Sequence, residues 1–476
     1  MKVVLTFVLF LSLLGKPAFS QNINTFKNFT ADHPLSYQAV RTIAQDKESF
    51  IWFGSQEGVH RYDGHQFLSF HHDANDPTSL SSDVISRILI DSSKQIWVAT
   101  RGGGLNLFRE NSQDFQRITS KTSPLSLTND NVNALIEDKL GNLWIGTENG
   151  VNILFRDGNN WQIKHIVQEL GNPNSLSYNS VETILQTANG QVWVGTGGGG
   201  ISVFDQQGNF IQSVNIRKKQ KQGSAEKLIK VLYQDNMSNI WVGTSESGLF
   251  KFSSKDSNVV QYQFDEFDTN SLMSNSIESI YQDSSDRIWV ASDKGIAIYN
   301  EELNNFSRIN HSVTNPQSLT NDFVLTIFED NKNMIWIGTF SGVSRWDPNM
   351  TTFRQYNDQN HPKVARSLIM DFAQLDKDHI IFSTYANGLY VLTIGDNTIA
   401  PFKFNISNQK LRFTSLLVDN DTLWLGSRSS GLFEINLVNG KSKNYRFDSS
   451  NNRSISANSI TDIFKDSKAR LWVSTY

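Results

Sequence analysis

The sequence predicts an all-β chain folded as a β-propeller of four-stranded blades, with one seven-bladed ring followed by the truncated start of a second. Three observations predict it. A Trp-centred phrase returns along the whole chain at intervals of 43 to 49 residues. Short aromatic-rich runs separate the returns, and Gly outnumbers Pro by 30 to 9. A period in this range belongs to propellers and related repeat arrays, in which each unit buries its faces only against its neighbours. That architecture also accommodates 476 residues without a conventional multidomain core.

The phrase reads IWFGSQEGVHRYD from Ile51, LWIGTENGVNILF from Leu143 and IWIGTFSGVSRWD from Ile335. Its anchors are Trp52, Trp97, Trp144, Trp193, Trp241, Trp289, Trp336, Trp424 and Trp472, with Ile381 replacing Trp in the eighth repeat. Each repeat reads as four strands. Strand a precedes the anchor and alternates weakly, as in Val132-Asn133-Ala134-Leu135-Ile136. A turn follows, opened six residues before the Trp by Asp46, Asp91, Asp138, Asp235, Asp283, Asp330 or Asp466, with Thr187 in the fourth repeat. An Asp side chain accepts backbone N–H bonds and holds a tight turn. Strand b carries the Trp and, two residues on, a Gly, Ala or Ser. The large ring fills the gap between blades and the small residue admits close approach. A turn ending on Gly leads to strand c, and an aromatic-rich strand d follows, as in Phe67-Leu68-Ser69-Phe70.

In the eighth and ninth repeats the acid, Asp376 or Asp419, lies only five residues before the anchor. This change of style places the ring boundary near Asn357, giving 21–357 as the first propeller and 358–476 as the truncated start of another. Phe26-Lys27-Asn28-Phe29 has the pattern of a strand d but precedes the first strand a. An open ring would expose two sheet edges. The segment is therefore expected to complete the blade of Trp336, in competition with Phe353 to Tyr356.

The first twenty residues read as a signal peptide: Lys2, an apolar run from Val3 to Gly15, and Ala18-Phe19-Ser20 before the cleavage point. The run is too short for a membrane-spanning helix. With no Cys, lipid attachment and disulfides are excluded. The formal net charge of -4 offers no surplus to track a phosphate backbone, so nucleic acid is not an expected partner.

The phrases, together with NDPTSLS from Asn75, NPNSLS from Asn172 and NPQSLT from Asn315, resemble the two-component regulator propeller family over nearly all of residues 24–476. The resemblance implies an exported sensor region, whose output module is a histidine kinase or a diguanylate cyclase beyond a membrane helix. None of that output is in this chain, which the repeat count reads as a fragment anchored in the inner membrane only through a missing segment. The alternative is a free periplasmic carbohydrate-binding or scaffold propeller.

No catalytic residue, metal site or cofactor is expected. A sialidase-type Asp-box sets its acid five residues before the Trp, against six here. A quinoprotein's vicinal Cys pair is absent. The runs Gly102–Gly104 and Gly197–Gly200 lack a following Lys-Ser/Thr and read as b–c turns. His60, His65, His71 and His72 read as surface strand residues, and Arg217 to Lys221 as a solvated loop. Binding is expected at the rim, where the b–c tips differ from blade to blade: Arg101, Glu148, Asn149, Glu246, Asp293, Phe340, Tyr385 and Arg428. The expected ligand is a small molecule or an oligosaccharide, with a homodimer left open.

Overall fold

The computed structural model describes residues 25–29, 33–158, 160–214, 216, 228–255, 258–348, 367–385, 387–395, 398–403 and 411–476. The signal segment 1–20, the basic run 217–221, Phe353–Tyr356 and the expected boundary near Asn357 lie outside them. The chain divides into two compact units, Met1–Thr351 and Thr352–Tyr476. Among the described residues there is no helix, and the strands form antiparallel sheets.

The first unit holds seven four-stranded sheets. Six follow chain order from inner strand a to outer strand d; the third, for example, runs Val132–Glu137, Leu143–Thr147, Gly150–Asp157, Asn160–Ile166. Neighbouring inner strands lie side by side, and Thr42–Gln45 of the first sheet meets Val324–Glu329 of the seventh. The ring is thus closed. The seventh sheet takes its outer strand from the other end of the unit: Lys27–Phe29 pairs with Gly342–Trp346, Asn28 opposite Ser344. Of the two alternatives for ring closure, this is the one in which the N-terminal segment completes the blade of Trp336.

The core is a set of separate clusters, each between adjacent sheets. Trp52, Val59, Ile85 and Val98 join the first and second; Phe29, Ile43, Phe53, Trp336 and Val343 join the seventh to the first. The anchors Trp52, Trp97, Trp144, Trp193, Trp241, Trp289 and Trp336 are all buried. The small residue two positions later is required by contact: a Cβ on Gly338 would sit 2.6 Å from the Val40 carbonyl oxygen.

The Asp of the a–b turn does more than hold the turn. In the third blade Asp138 Oδ1 accepts the N–H groups of Leu140 and Asn142, while Oδ2 accepts the indole Nε1–H of Trp144 at 2.9 Å. The same indole bond recurs at Asp46–Trp52, Asp91–Trp97, Asp235–Trp241, Asp283–Trp289, Asp330–Trp336 and Asp466–Trp472, at 2.6 to 2.9 Å. A buried indole N–H needs such an acceptor. In the fourth blade Thr187 bonds Asn189 and the Gln191 carbonyl instead, and the buried Trp193 Nε1 has no partner.

The Pro-x-Ser-Leu phrase also has a packing role. Its Leu (Leu80, Leu127, Leu176 or Leu319, and Leu272 of the corresponding Thr269-Asn270-Ser271-Leu272) is buried at 0–3% exposure. The Arg117 guanidinium of the second blade's outer strand donates to Ser79, Asp76 and Leu80 carbonyls, and Arg308 does the same for Ser271, Asp268 and Leu272. At the seventh blade the N-terminal strand supplies the grip: Asn28 Nδ2 donates to the Pro316 and Ser318 carbonyls.

The second unit has two four-stranded sheets, beginning with Ile369–Gln374 and Phe413–Asp419, and the pair Ile460–Lys465 with Leu471–Thr475. Trp424 is half-buried and stacks on Tyr445. Trp472 departs from the anchor pattern at 54% exposure; among the described residues its strand pairs only with Ile460–Lys465. Exposure also reverses the behaviour of its Asp. Asp466, bonded to the Trp472 indole and the turn amides, is held down to about 2. Asp46 makes equivalent bonds, but burial outweighs them and pushes its carboxyl up.

Two stability predictions follow from these contacts. Phe29→Ala removes a buried ring packed 5.4 Å from Trp336 and is expected to cost about 3–5 kcal/mol in denaturant titrations. The loss should appear as one earlier transition of the whole seven-sheet unit, not as fraying at one end. Thr187→Asp should supply the acceptor that Trp193 lacks and stabilise by about 1 kcal/mol, whereas Asp235→Ala should destabilise by about 1–3 kcal/mol. Equal melting temperatures for the Thr187→Asp variant and the parent would contradict the account of the indole bond.

Candidate functional site

The channel-facing site is built by a backbone irregularity. In six of the seven inner strands the pairing with strand b shifts register by one residue near the strand's start. The skipped residues are Ser86, Asn133, Glu182, Lys230, Glu278 and Leu325. A bulge of this kind re-aims a side chain away from the sheet's alternation. Arg41 holds the equivalent place, five residues before its turn Asp, in the first blade. These seven residues, joined by Arg87 and Arg101, line one cavity of about 150 Å³ at the ring's inner strands.

The lining is polar and unevenly satisfied. Lys230 Nζ pairs with the Glu278 carboxylate, which also accepts from Ser276 Oγ at 3.2 Å. Glu182 accepts from Ser180 Oγ at 3.0 Å. Asn133 Nδ2 donates to the Val181 carbonyl at 3.2 Å, but its Oδ1 is buried without a partner. Ser86 Oγ and Arg41 Nε are likewise buried and unpartnered. Burial, with Arg41 and Arg101 nearby, lowers the affinity of the Arg87 guanidinium for its proton; burial and Arg101 do the same to Arg41. Unsatisfied buried polar atoms are rare in native folds, and three around one cavity mark it as a place for a polar guest.

The rim residues fall into different settings. Arg101 alone of the eight lines this cavity. Glu148, Asn149 and Glu246 are exposed at their tips, and Asp293 is half-buried with Oδ1 unpartnered. Phe340 is 49% exposed and stacks on Phe323 at 5.7 Å. In the second unit Tyr385 and Arg428 come together: the phenol oxygen accepts from Arg428 Nη1 at 2.8 Å and from Arg412 Nη1 at 3.1 Å. Arg412 was not singled out by the sequence reading, nor were the bulge residues. The signal was the weak alternation of strand a, with unlike and often charged residues at one fixed offset from the turn Asp.

The glycine runs lie in b–c turns, where Gly104 and Gly200 have φ of 78° and 79°. The first-blade histidines need a correction. His60 is not a surface residue but 1% exposed, enclosed on a central strand of its own blade between Phe53 and Ser69 of the flanking strands. Its ring nitrogens meet Ser55 Oγ at 3.2 Å and Ser69 Oγ at 2.8 Å. His72 Nδ1 meets the Leu80 carbonyl at 2.6 Å.

A family model described as two component regulator propeller matches residues 126–149, 175–198, 271–294 and 318–341. These are two-component regulator propeller repeats. Each match runs from a Ser-Leu phrase to two residues past the following strand b, so it spans the buried Leu, the bulge residue, the turn, the anchor Trp and the start of the b–c turn. The repeats' architecture is shared with solved structures. The extracellular domain of BT3049 of B. thetaiotaomicron, assigned to a hybrid two component system, superposes with a TM-score of 0.72 at 22% identity, over 95% of this chain and 64% of that one. The extracellular domain of BT4673 from the same organism, assigned to a one component system, gives 0.56 at 19% identity, over 96% and 65%. Histidine kinase P4 of Formosa agariphila is 37% identical over 75 residues, 16% of this chain and 6% of that protein. This chain therefore spans less than two thirds of the proteins it resembles.

Burial lowers the proton affinity of His60 to about 4, with the neighbouring His71 adding to the effect. The unfolded imidazole takes its proton near pH 6.5, so this contribution to stability is complete above 6.5 and is lost as pH falls towards 4. The expected loss is on the order of 3 kcal/mol between those limits. His60→Asn, which places in the first blade the residue type of Asn106 and Asn152, should flatten that slope in urea titrations at pH 7 and pH 4.5. An unchanged slope would show that another group sets it.

Proposed function

We propose that this chain is the ligand-sensing, exported region of a transmembrane signalling receptor, and that the channel of its first ring is the site that reads the ligand. The observation that carries the reading is the girdle of bulge residues. Six of the seven blades share the bulge there and the first sets Arg41 at the same offset from its turn Asp, yet the side chains are Arg41, Ser86, Asn133, Glu182, Lys230, Glu278 and Leu325. A scaffold repeats its residues, whereas a binding site must differentiate them. Repeats of a regulator family, and a fold shared with extracellular domains of bacterial sensor systems, support placing it outside the inner membrane, as the N-terminal segment does.

In this reading the chain itself performs no chemistry. It binds a small molecule or saccharide, and an output module of the full-length receptor, of the histidine kinase type, responds. The second unit is read as part of another propeller, with Tyr385, Arg412 and Arg428 at its rim.

The test is a thermal-shift screen of the purified chain against neutral and acidic sugars and small metabolites. At least one class should raise the melting temperature in a concentration-dependent way. Leu325→Trp, which fills the channel, should abolish that shift while leaving the far-ultraviolet circular dichroism unchanged. A shift that survives Leu325→Trp but is lost in Phe340→Ala would move the site from the channel to the rim.

A further inference from the structure

The channel holds three guanidinium groups, from Arg41, Arg87 and Arg101, in a cavity with only two carboxylates. Both carboxylates are engaged with other partners, Glu278 with Lys230 and Ser276, and Glu182 with Ser180. No carboxylate lies within ion-pair distance of any of the three arginines, all of which are described residues. Their side chains make one hydrogen bond among them, from Arg87 Nη1 to the Ser86 carbonyl at 2.9 Å. Burial and the charges of Arg41 and Arg101 weaken Arg87's hold on its proton, with Glu182 and Glu278 acting against them to a smaller extent. An anion among the three would convert mutual repulsion into charge-assisted hydrogen bonds.

The other unpartnered groups narrow the anion's class. Ser86 and Asn133 are 3% and 5% exposed, with Ser86 Oγ and Asn133 Oδ1 both lacking partners. The bond from Asn133 Nδ2 to the Val181 carbonyl fixes which end of the amide remains free, and that end is an acceptor. Sulfate brings no donor to it; a hydroxyl does. The volume, about 150 Å³, equals roughly five waters at about 30 Å³ each. That suits a small acid or one terminal group, not an extended chain of sugars.

We propose that the first-ring channel binds a hydroxylated carboxylate, its carboxylate held by Arg41, Arg87 and Arg101 and a neighbouring hydroxyl by Asn133 and Ser86. The proposal rests on reading the channel as the ligand site, and it names the ligand class. Two sources share this chemistry, a free hydroxy acid and the uronate end of an acidic saccharide.

Calorimetric titration of the whole chain at low salt, with sodium D-glycerate, sodium D-glucuronate, D-glucose and sodium sulfate, separates the alternatives. At least one of the two acids should bind about tenfold more tightly than both glucose and sulfate. Arg87→Gln and the solvent-facing Arg101→Gln should each weaken that acid by about tenfold or more. Glycerate the tighter assigns a free acid; glucuronate the tighter assigns a saccharide end. Sulfate binding as well as the acids would reduce the cluster to a general anion site and overturn the proposal. So would an affinity unchanged in folded Arg101→Gln. A neutral sugar that binds, and whose binding is lost in Leu325→Trp, would leave the sensor reading standing while sinking this one.

Discussion

A single carboxylate in six of the seven a–b turns organises the ring. One oxygen gathers two backbone N–H groups of the turn, and the other takes the indole of a Trp six residues on. The turn, strand b and the inter-blade gap are thereby tied to one side chain. The Trp can be buried fully because its polar atom is satisfied within its own blade, leaving its apolar faces for the neighbours. Trp144, at 0% exposure, packs with Val181 and Val194 of the next blade while its nitrogen stays with Asp138. The fourth blade shows what the carboxylate contributes, because with Thr187 in its place the turn survives but the indole is stranded.

Much of this was legible in the sequence, since the features that recur are those that packing demands of every blade. The Trp, the turn Asp, the small residue after the Trp and the closing Gly each stand at fixed offsets. The fixed six-residue interval hinted at a link between Asp and Trp, yet a turn role alone explained the Asp, so the indole bond went unread. The closing strand was legible for another reason: Phe26 to Phe29 had the look of an outer strand and no blade to belong to. What the sequence could not show was that Asn28 stands in for Arg117 and Arg308 in gripping a neighbouring loop, because their chemistry differs and only their place is shared.

The channel was hidden by the same logic. Its residues vary between blades and sit where strand alternation fails, so a reading based on recurrence passes over them as noise. The bulge is the physical reason. It inserts one residue out of register and turns it towards the axis, so polarity there no longer follows the in–out rhythm of the strand. Of the b–c tip residues expected at the rim, Arg101 alone lines the cavity. Tyr385 and Arg428 are both b–c tip residues, and the second unit brings them together around one phenol oxygen.

The ring also has a seam that no single repeat reveals. Beside most turn Asp residues stands a Gln or Glu that accepts the N–H following the previous blade's Asp or Thr. Examples are Gln186 with Lys139, Gln234 with Ala188, Gln282 with Asn236 and Gln45 with Asn331. Glu137 and Glu329 play the same part for Ser92 and Ser284. The chain of latches therefore crosses the closing interface between the seventh and first blades and is broken only between the first and second, where Ile90 replaces the acceptor. A cavity of about 340 Å³ lies there, lined by Asp46, Lys47, Arg61 and Lys94. Closure by the N-terminal strand has thus made the topological join as well latched as an ordinary interface. Among the described residues the crossing without this latch lies one blade away, where the aliphatic Ile90 stands in the acceptor's place and Lys47 Nζ instead reaches Glu110 at 3.2 Å.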